Sequence, residues 1–232
     1  MQMQTATVSS GNRAIDARPG YFPFVSNGDI DDGLNTIGTV VSIPQGRELY
    51  AEGDPAESWY QVRSGVLRTC KFMLDGRRQI DSFLLPGDFF GFEALSEHRF
   101  GAEAITPATV IRYSRSRIEA LADGSPGLSR RLREIALKSL SDVQRRLVLL
   151  GRKTAEERLT SFILEMLDRS PEHDAVELAM SRNDIADYLG LTIETVSRTF
   201  SALKREGILA LPNAQRIAVR DRDVLESLSG GE

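Results

Sequence analysis

Four side chains near the C-terminal end of the chain have the chemistry needed to recognise DNA bases. They are Ile193, Glu194, Ser197 and Arg198, within the segment SRNDIADYLGLTIETVSRTF at 181–200. An arginine fork matches O6 and N7 of guanine, a carboxylate accepts a hydrogen bond from N4 of cytosine, and a serine hydroxyl can donate or accept. Ile193 offers an apolar contact, which suits a thymine methyl group. The four residues therefore predict a surface that reads bases in a major groove.

The polar residues around this surface are suited to the phosphate backbone. Hydroxyl and basic side chains bind phosphates without reading sequence. The candidates are Ser181, Arg182, Thr192, Thr195, Lys204 and Arg205. The competing interpretation is an ordinary helical hairpin on which Glu194 and Arg198, four residues apart, form a solvated salt bridge. The fit of the surrounding small and apolar residues to a helix-turn-helix favours the DNA-binding interpretation.

Two short amphipathic helices that meet at a glycine are predicted to present these side chains. Ala186 is a small residue four positions before Gly190, which can adopt the positive φ of a tight turn. Thr192 is suited to cap the second helix. The apolar positions expected to form one small core are Ile185, Leu189, Leu191 and Val196. Downstream, β-rich runs at 208–211 and 216–219 flank a turn, which predicts a wing.

The N-terminal half has the pattern of an all-β domain. Runs rich in β-formers at Ser58–Ser64, Val66–Leu74 and Arg77–Leu85 follow one another, with Gly65 and the hairpin-forming pair Asp75-Gly76 between them. Many short strands at this spacing indicate a barrel or jelly roll. Its interior can either hold a ligand or be filled by its own side chains.

An apolar seam lies between these two parts of the chain. It repeats at steps of three and four over residues 127–150, as in a coiled coil. Its members are Leu128, Leu132, Ala136, Leu140, Val143, Leu147 and Leu150. We expect this helix to pair with its twin in a symmetric homodimer, while the alternative is a helix packed on its own barrel. Pairing would place two recognition helices about 34 Å apart on a palindromic site.

Composition limits the remaining classes of protein. The 232 residues are 41% hydrophobic with a net charge of −4, values of a globular chain long enough for two modest domains. No run approaches the roughly 18 apolar residues of a membrane span, and residues 1–20 lack the apolar core of a signal peptide. We therefore expect a cytoplasmic protein without a membrane partner. An enzyme on a cupin-like barrel would need clustered metal ligands, so we expect neither an enzyme nor a metal site.

With these parts in this order, the chain resembles the CRP/FNR superfamily of bacterial transcription regulators over nearly its whole length. PGDFFGFEAL at 86–95 looks like the family's barrel signature, and LTIETVSR at 191–198 is similar to the recognition helix of its FNR branch. The resemblance implies an α+β fold with a cyclic-nucleotide-binding-like β-roll (jelly roll), a long dimerisation helix and a C-terminal winged helix-turn-helix. The corresponding limits are a flexible tail at 1–25, the β-roll at 26–125, the dimerisation helix at 126–151 and the winged module at 152–232.

The resemblance also implies a DNA target. Members with a similar recognition helix read a TTGAT-type half-site, paired as TTGAT-N4-ATCAA, in which Arg198 would take the guanine and Glu194 the cytosine opposite. Ile193 stands where cAMP-responsive members carry an additional arginine. That departure favours this half-site over the TGTGA type.

Cyclic nucleotide binding is the first of three sensory chemistries that the family offers. Members that bind cAMP carry Gly-Glu and Arg-Ser pairs, where this chain has Phe92 and Phe100-Gly101. Arg99 and Glu93 lie close by and leave a shifted pocket open. We expect no cyclic nucleotide, although a cAMP-receptor-like regulator with a ligand in the β-roll stays an alternative.

The other two chemistries, an iron–sulfur cluster and a haem, need cysteine or histidine ligands. A [4Fe-4S] cluster takes four thiolates, and Cys70, which we expect to be a small buried residue, is the only cysteine. Haem ligation would have to use His98, expected to be solvated in a polar loop, or His173, expected in an exposed turn between helices. We therefore expect no cofactor.

These absences make the FixK-type subgroup the nearest resemblance. Its members are cysteine-poor FNR relatives that activate genes of microaerobic or anaerobic metabolism by contacting RNA polymerase. The resemblance implies that no small effector is required and that oxygen is sensed upstream. A further alternative is a cyclic-nucleotide module that regulates a partner protein and does not bind DNA.

Overall fold

The computed structural model describes residues 34–230, and the tail expected at 1–25 lies outside them. The helices are α1 (Leu34–Ile37), α2 (Arg115–Gly124), α3 (Pro126–Arg152), α4 (Ala155–Asp168), α5 (Arg182–Leu189), α6 (Ile193–Arg205) and α7 (Arg222–Leu228). The strands are β1 (Thr39–Ile43), β2 (Glu48–Tyr50), β3 (Ser58–Ser64), β4 (Leu67–Phe72), β5 (Arg78–Leu84), β6 (Phe89–Phe90), β7 (Gly101–Ala104), β8 (Ala108–Ser114), β9 (Ala175–Glu177), β10 (Leu209–Ala210) and β11 (Arg216–Val219). Within residues 34–230, none of the helices has the length and apolar character of a membrane span.

Two four-stranded sheets face each other in the N-terminal domain and form the predicted β-roll. Their strand orders are β1-β8-β3-β6 and β2-β7-β4-β5. Aromatic rings occupy the space between them, since Tyr60 stacks on Tyr50 at 5.4 Å and on Phe90 at 5.3 Å between ring centroids. Val62, Leu67 and other apolar side chains complete this core. The described interior is therefore filled by the protein's own side chains.

The hairpin between β4 and β5 follows the turn that Asp75-Gly76 predicts. Gly76 has a φ of 83°, and an Asp75 carboxylate oxygen accepts the backbone N–H of Arg77 at 3.1 Å. At this turn the two strands stop short of their predicted limits because the carbonyl of Met73 accepts Gly76 N–H and so closes a turn over residues 73–76. At the other end of β4, a side chain on Gly65 would lie 2.3 Å from the carbonyl oxygen of Pro107, so only glycine fits.

The long helix α3 leaves the β-roll with its first turns packed on its own domain. Its N-cap Ser125 accepts the N–H of Leu128, and Pro126 occupies the first turn. Leu128 is 1% exposed in a cluster with Tyr113 and Ile118. The prediction that Leu128 lies in a dimer interface was wrong, because the side chain is already buried within its own chain. Leu132 is partly buried against the same cluster.

The C-terminal domain is a compact winged module. Strands β10, β11 and β9 form a three-stranded sheet in that order, and α4 and α7 pack with the helix pair α5 and α6 around one core. The first wing strand covers 209–210 of the predicted 208–211, and the hydrogen bond from Arg220 N–H to the carbonyl of Ile208 continues its pairing with β11 by one residue. The wing turn is held by Asn213, whose side-chain oxygen accepts the backbone N–H of Gln215 and of Arg216.

Candidate nucleic-acid interface

The turn between α5 and α6 has the geometry predicted from Ala186 and Gly190. Gly190 lies in the left-handed region at φ 62° and ψ 39°, and its N–H donates to the carbonyl of Ala186. Thr192 caps α6 by accepting the N–H of Thr195 at 3.2 Å. The predicted core residues Ile185, Leu189 and Val196 are fully buried, and Leu191 packs partly buried beside them. Local sequence therefore sets the angle at which the second helix leaves the turn.

The predicted base-reading side chains share one open face of α6. Ile193 is 40% exposed, and Glu194, Ser197 and Arg198 are also exposed. A shallow depression of about 450 Å³ runs along this face, lined by Ser197, Arg198, Ser201, Ala202 and Arg205. Although they are four residues apart, the charged groups of Glu194 and Arg198 do not come within the 4.0 Å of a salt bridge. Both charged groups therefore point outward without the mutual brace that their spacing allowed.

Glu194 is positioned to act as a hydrogen-bond acceptor. A hydrogen bond with its own backbone N–H and another with the hydroxyl of Thr192 lower the pKa of its carboxyl. Arg198 adds a favourable charge one helical turn away. The carboxylate is therefore ionised at neutral pH, which is the form that accepts a hydrogen bond from N4 of cytosine.

The predicted phosphate-binding residues lie at the N-termini of the two helices and at the end of α6. Ser181 is exposed and caps α5 reciprocally with Asp184, while Lys204 is exposed near the end of α6. Arg182 differs from a free surface arginine, since its guanidinium lies 3.4 Å from the centroid of the Phe200 ring and burial lowers its pKa. Arg182 thus braces α5 against α6. The hydroxyl of Thr195 contacts that of Thr192 at 3.1 Å.

His98 does not lie in solvent as the sequence suggested. It is 2% exposed, and its ring stacks on Tyr50 at 3.7 Å between centroids. The loop is drawn inward because Gly53 N–H donates to the carbonyl of His98 and His98 N–H donates to that of Asp54. Burial lowers the pKa of His98, against the attraction of Glu93 at 3.9 Å and of Asp54. The prediction of a solvated residue was wrong because these contacts are distant in sequence.

Packing and hydrogen bonds account for three residues of the β-roll that were considered for ligand chemistry, Phe92, Glu93 and Cys70. Phe92 packs edge-on against Trp59 at 4.8 Å, and Glu93 accepts the backbone N–H of Arg99. Cys70 is 7% exposed, as expected for a small buried residue, and burial raises the pKa of its thiol. His173 is exposed, in a turn between α4 and β9 and not between two helices. Over residues 34–230, no group of three or more potential metal ligands comes together.

Sequence reasoning missed a contact between the β-roll and the first helix of the helix-turn-helix. Arg68 on β4 and Arg78 on β5 both donate to Asp184 of α5, and Arg78 also pairs with Asp187. Because the partners are more than 100 positions apart, neither spacing nor periodicity indicated this contact.

Comparison with known protein families agrees with the two domains seen in the fold. The Crp-like helix-turn-helix domain matches residues 157–228, and the cyclic nucleotide-binding domain matches residues 40–125. Together with the open face of α6, these domains define a transcription regulator that joins a β-roll of the cyclic-nucleotide-binding type to a DNA-binding module. The predicted α+β fold is confirmed, and the class is a regulator and not an enzyme.

Relatives of known name identify the family. The chain is 46% identical over 197 residues to the nitrogen fixation regulation protein FixK of Azorhizobium caulinodans, covering 83% of this chain and 79% of that protein. It is 42% identical to FixK of Rhizobium meliloti, covering 82% and 86%. The structure of FixK2 from Bradyrhizobium japonicum superposes with a TM-score of 0.81 at 43% identity, covering 84% and 99%. The chain belongs to the CRP/FNR family of transcription regulators and is close to the FixK proteins.

Proposed function

We propose that this protein binds a palindromic TTGAT-N4-ATCAA-type site as a homodimer and activates transcription there. The observation that carries the proposal is the open face of α6, on which Ile193, Glu194, Ser197 and Arg198 are all exposed. Arg198 takes the guanine of the half-site and the ionised Glu194 takes the cytosine, each by the hydrogen bonds its chemistry allows. Ser181, Thr192, Thr195 and Lys204 border this face and position the helix on phosphates. Arg182, predicted from the sequence as a phosphate contact, supports the face by holding α5 against α6.

The homodimer is proposed from an exposed apolar stripe on α3. Leu140, Val143 and Leu147 of the predicted seam are 54%, 58% and 74% exposed, and Leu137 and Val148 extend the stripe at 59% and 50%. A helix face this apolar is normally covered in the working protein. A second copy of the same helix covers it with matching side chains, as in a two-stranded coiled coil. Ala136 lies at its N-terminal end, and Leu150 is partly buried near Gly190.

The proposal includes regulation without a small effector. The space between the two sheets of the β-roll is occupied by Tyr50, Tyr60 and Phe90, and Phe92, at one of the family's nucleotide-binding positions, packs against Trp59. Relatives carry names such as nitrogen fixation regulation protein and anaerobic regulatory protein. We accordingly infer a cytoplasmic activator of microaerobic or anaerobic metabolism genes, which recruits RNA polymerase and whose activity follows its amount.

A binding titration tests this proposal. Fluorescence anisotropy with a TTGAT-N4-ATCAA duplex at physiological salt should give a dissociation constant of about 10⁻⁸ M or tighter, typical of specific regulators. A matched duplex in which the guanine and its paired cytosine of both half-sites are changed should bind far more weakly. Equal affinity for the two duplexes would contradict the assignment of Arg198 and Glu194 as base readers.

A further inference from the structure

A buried cluster of charges joins the β4–β5 hairpin to α5, the first helix of the helix-turn-helix. Arg68 Nη1 lies 2.8 Å from Asp184 Oδ1, and Arg78 Nη2 contacts the same oxygen. Arg78 Nε also donates to Asp187 Oδ2 at 2.8 Å. We call Arg68, Arg78, Asp184 and Asp187 the interdomain clamp. It contains two cations from one domain and two carboxylates from the other.

The two carboxylate oxygens of Asp184 accept hydrogen bonds from different domains. Oδ2 accepts the backbone N–H and the hydroxyl of Ser181, which caps α5. Oδ1 faces the two arginines of the β-roll. Burial alone would raise the pKa of this carboxyl, but the Ser181 hydrogen bonds and the charges of Arg68 and Arg78 hold it below its usual range. The carboxylate is therefore charged wherever the protein is folded near neutral pH.

Contacts around the clamp fix its geometry. The Gln79 side-chain amide donates to the carbonyl of Asp187 at 3.0 Å. Beside it, the ring of Phe83 on β5 packs 4.9 Å from that of Tyr188 on α5 and 6.1 Å from that of Phe162 on α4. Side chains from the β-roll and the winged module thus share one continuous core. The hairpin holds α5 through directional ionic hydrogen bonds and through packed rings together.

The burial of these charges indicates a role in orientation more than in stability. The side chains of Asp184, Arg68 and Arg78 are only 8%, 13% and 16% exposed. Removing charges from water costs free energy that their attraction only partly repays, so a buried ion pair is weak evidence for stabilisation. Breaking it is nevertheless costly, because one partner is left buried and unpaired. Such a cluster strongly favours one relative placement of the two domains over others.

We propose that Arg68 and Arg78 are positioning residues that hold the helix-turn-helix in its DNA-binding orientation without any small-molecule effector. The opposite side of α5 packs on α6 through buried Ile185 and Leu189, so fixing α5 fixes the recognition helix. In this arrangement Glu194 and Arg198 stay uncovered. The inference rests on the proposed DNA-binding function. It adds that the interdomain clamp keeps α5 and α6 in the DNA-binding orientation when no ligand is bound.

The test compares Arg78→Gln with Arg77→Gln in the full chain. Arg77 is the adjacent residue of the same hairpin, its side chain is 79% exposed, and it pairs with Asp75 within the turn. If the share of molecules in the binding orientation falls about tenfold, the apparent dissociation constant for the palindromic duplex rises about tenfold. We expect that rise for Arg78→Gln and none for Arg77→Gln. Equal affinities, or tighter binding by Arg78→Gln, would overturn the proposal.

A double-mutant cycle separates a specific clamp from general damage. Asp187→Asn removes one carboxylate of the clamp without touching the Ser181–Asp184 capping box. Since both substitutions break the same contact, the Arg78→Gln/Asp187→Asn variant should bind within about threefold of Arg78→Gln alone. If the double variant instead raises the dissociation constant by the product of the two single effects, Arg78 and Asp187 act independently, which would count against the clamp. Arg78→Lys, which keeps the charge but loses the two-carboxylate fork, should fall between wild type and Arg78→Gln and serves where Arg78→Gln does not fold.

Hydrogen–deuterium exchange on the DNA-free protein makes the result independent of the proposed function. Loss of the clamp should speed amide exchange in peptides covering α5 and the β4–β5 hairpin by about tenfold in Arg78→Gln and not in Arg77→Gln. Unchanged exchange in Arg78→Gln would overturn the clamp even if DNA binding fell. If Arg78→Gln exchanges faster but the wild-type protein does not bind the palindrome, the interdomain clamp is supported and the proposed DNA target is refuted.

Discussion

The exposed stripe on α3 gives the most demanding prediction about assembly. Replacing Leu140 and Leu147 together with glutamate should convert the protein to monomers. These side chains are 54% and 74% exposed in one chain. Full burial of a leucine is worth about 1.5–3 kcal/mol, so covering their exposed parts contributes about 2–4 kcal/mol per protomer and about 4–8 kcal/mol per dimer. Placing four carboxylates in the seam adds repulsion to that loss.

The size of this effect makes it easy to measure. Each 1.4 kcal/mol is a factor of ten, so the dimer dissociation constant should rise by about three orders of magnitude or more. Sedimentation velocity at micromolar protein should show the mass fall from twice 25.7 kDa to 25.7 kDa. Affinity for the palindrome should fall with it, because one half-site is then bound at a time.

A matched variant keeps this experiment specific. Lys138→Glu places a carboxylate at an exposed position of the same helix, about 160° around the axis from Leu140 and away from the stripe. It should leave the mass unchanged. If the double leucine variant also keeps the mass of wild type, or if wild type is already monomeric, the stripe does not pair with its twin and the reasoning from exposed apolar area fails.

Three further predictions concern single residues. Arg198→Ala should lose about 1–3 kcal/mol of discrimination at the half-site G·C pair while non-specific affinity remains; an equal loss on every duplex would show that Arg198 contacts phosphate. Gly190→Ala should destabilise the protein by about 1–2 kcal/mol, the cost of a left-handed backbone for a residue with a Cβ. An added Cβ would clash with nothing, because its nearest atom is 3.6 Å away, so backbone strain is the whole effect. An unchanged urea midpoint would refute this. Burial lowers the pKa of His98 below its unfolded value of about 6.5, so its neutral form supports stability above that pH and the support is lost as pH falls. His98→Gln should therefore flatten the loss of stability between about pH 7 and pH 5 in urea titrations, and the same slope as wild type would count against it.

The features that the sequence predicted well are those set by neighbouring residues. Gly190 has the positive φ that a tight turn needs, and Thr192 caps α6, because both depend on backbone groups within four positions. The β3 strand has the predicted limits, and α3 begins and ends within two residues of the predicted seam. Periodicity and turn chemistry act locally, so one sequence is sufficient to find them.

The features that the sequence did not predict depend on which domain a side chain meets. Leu128 continues the seam in sequence, yet it is buried against Tyr113 and Ile118 because α3 starts on the surface of the β-roll. His98 is enclosed by Tyr50, which is almost fifty positions away. In the sequence, nothing distinguishes the clamp partners Arg78 and Asp184 from ordinary charged residues of the protein surface. Heptad or turn patterns carry no information about such long-range partners.

The central claim is that the face formed by Ile193, Glu194, Ser197 and Arg198 reads a TTGAT-N4-ATCAA palindrome. The most direct measurement is a competition titration of the wild-type protein at physiological salt, with this duplex against one whose half-site G·C pairs are replaced by A·T. We expect the intact palindrome to bind at least about 30-fold more tightly, since two pairs are replaced and each costs roughly 1–3 kcal/mol. Equal competition by the two duplexes would contradict base reading by this face.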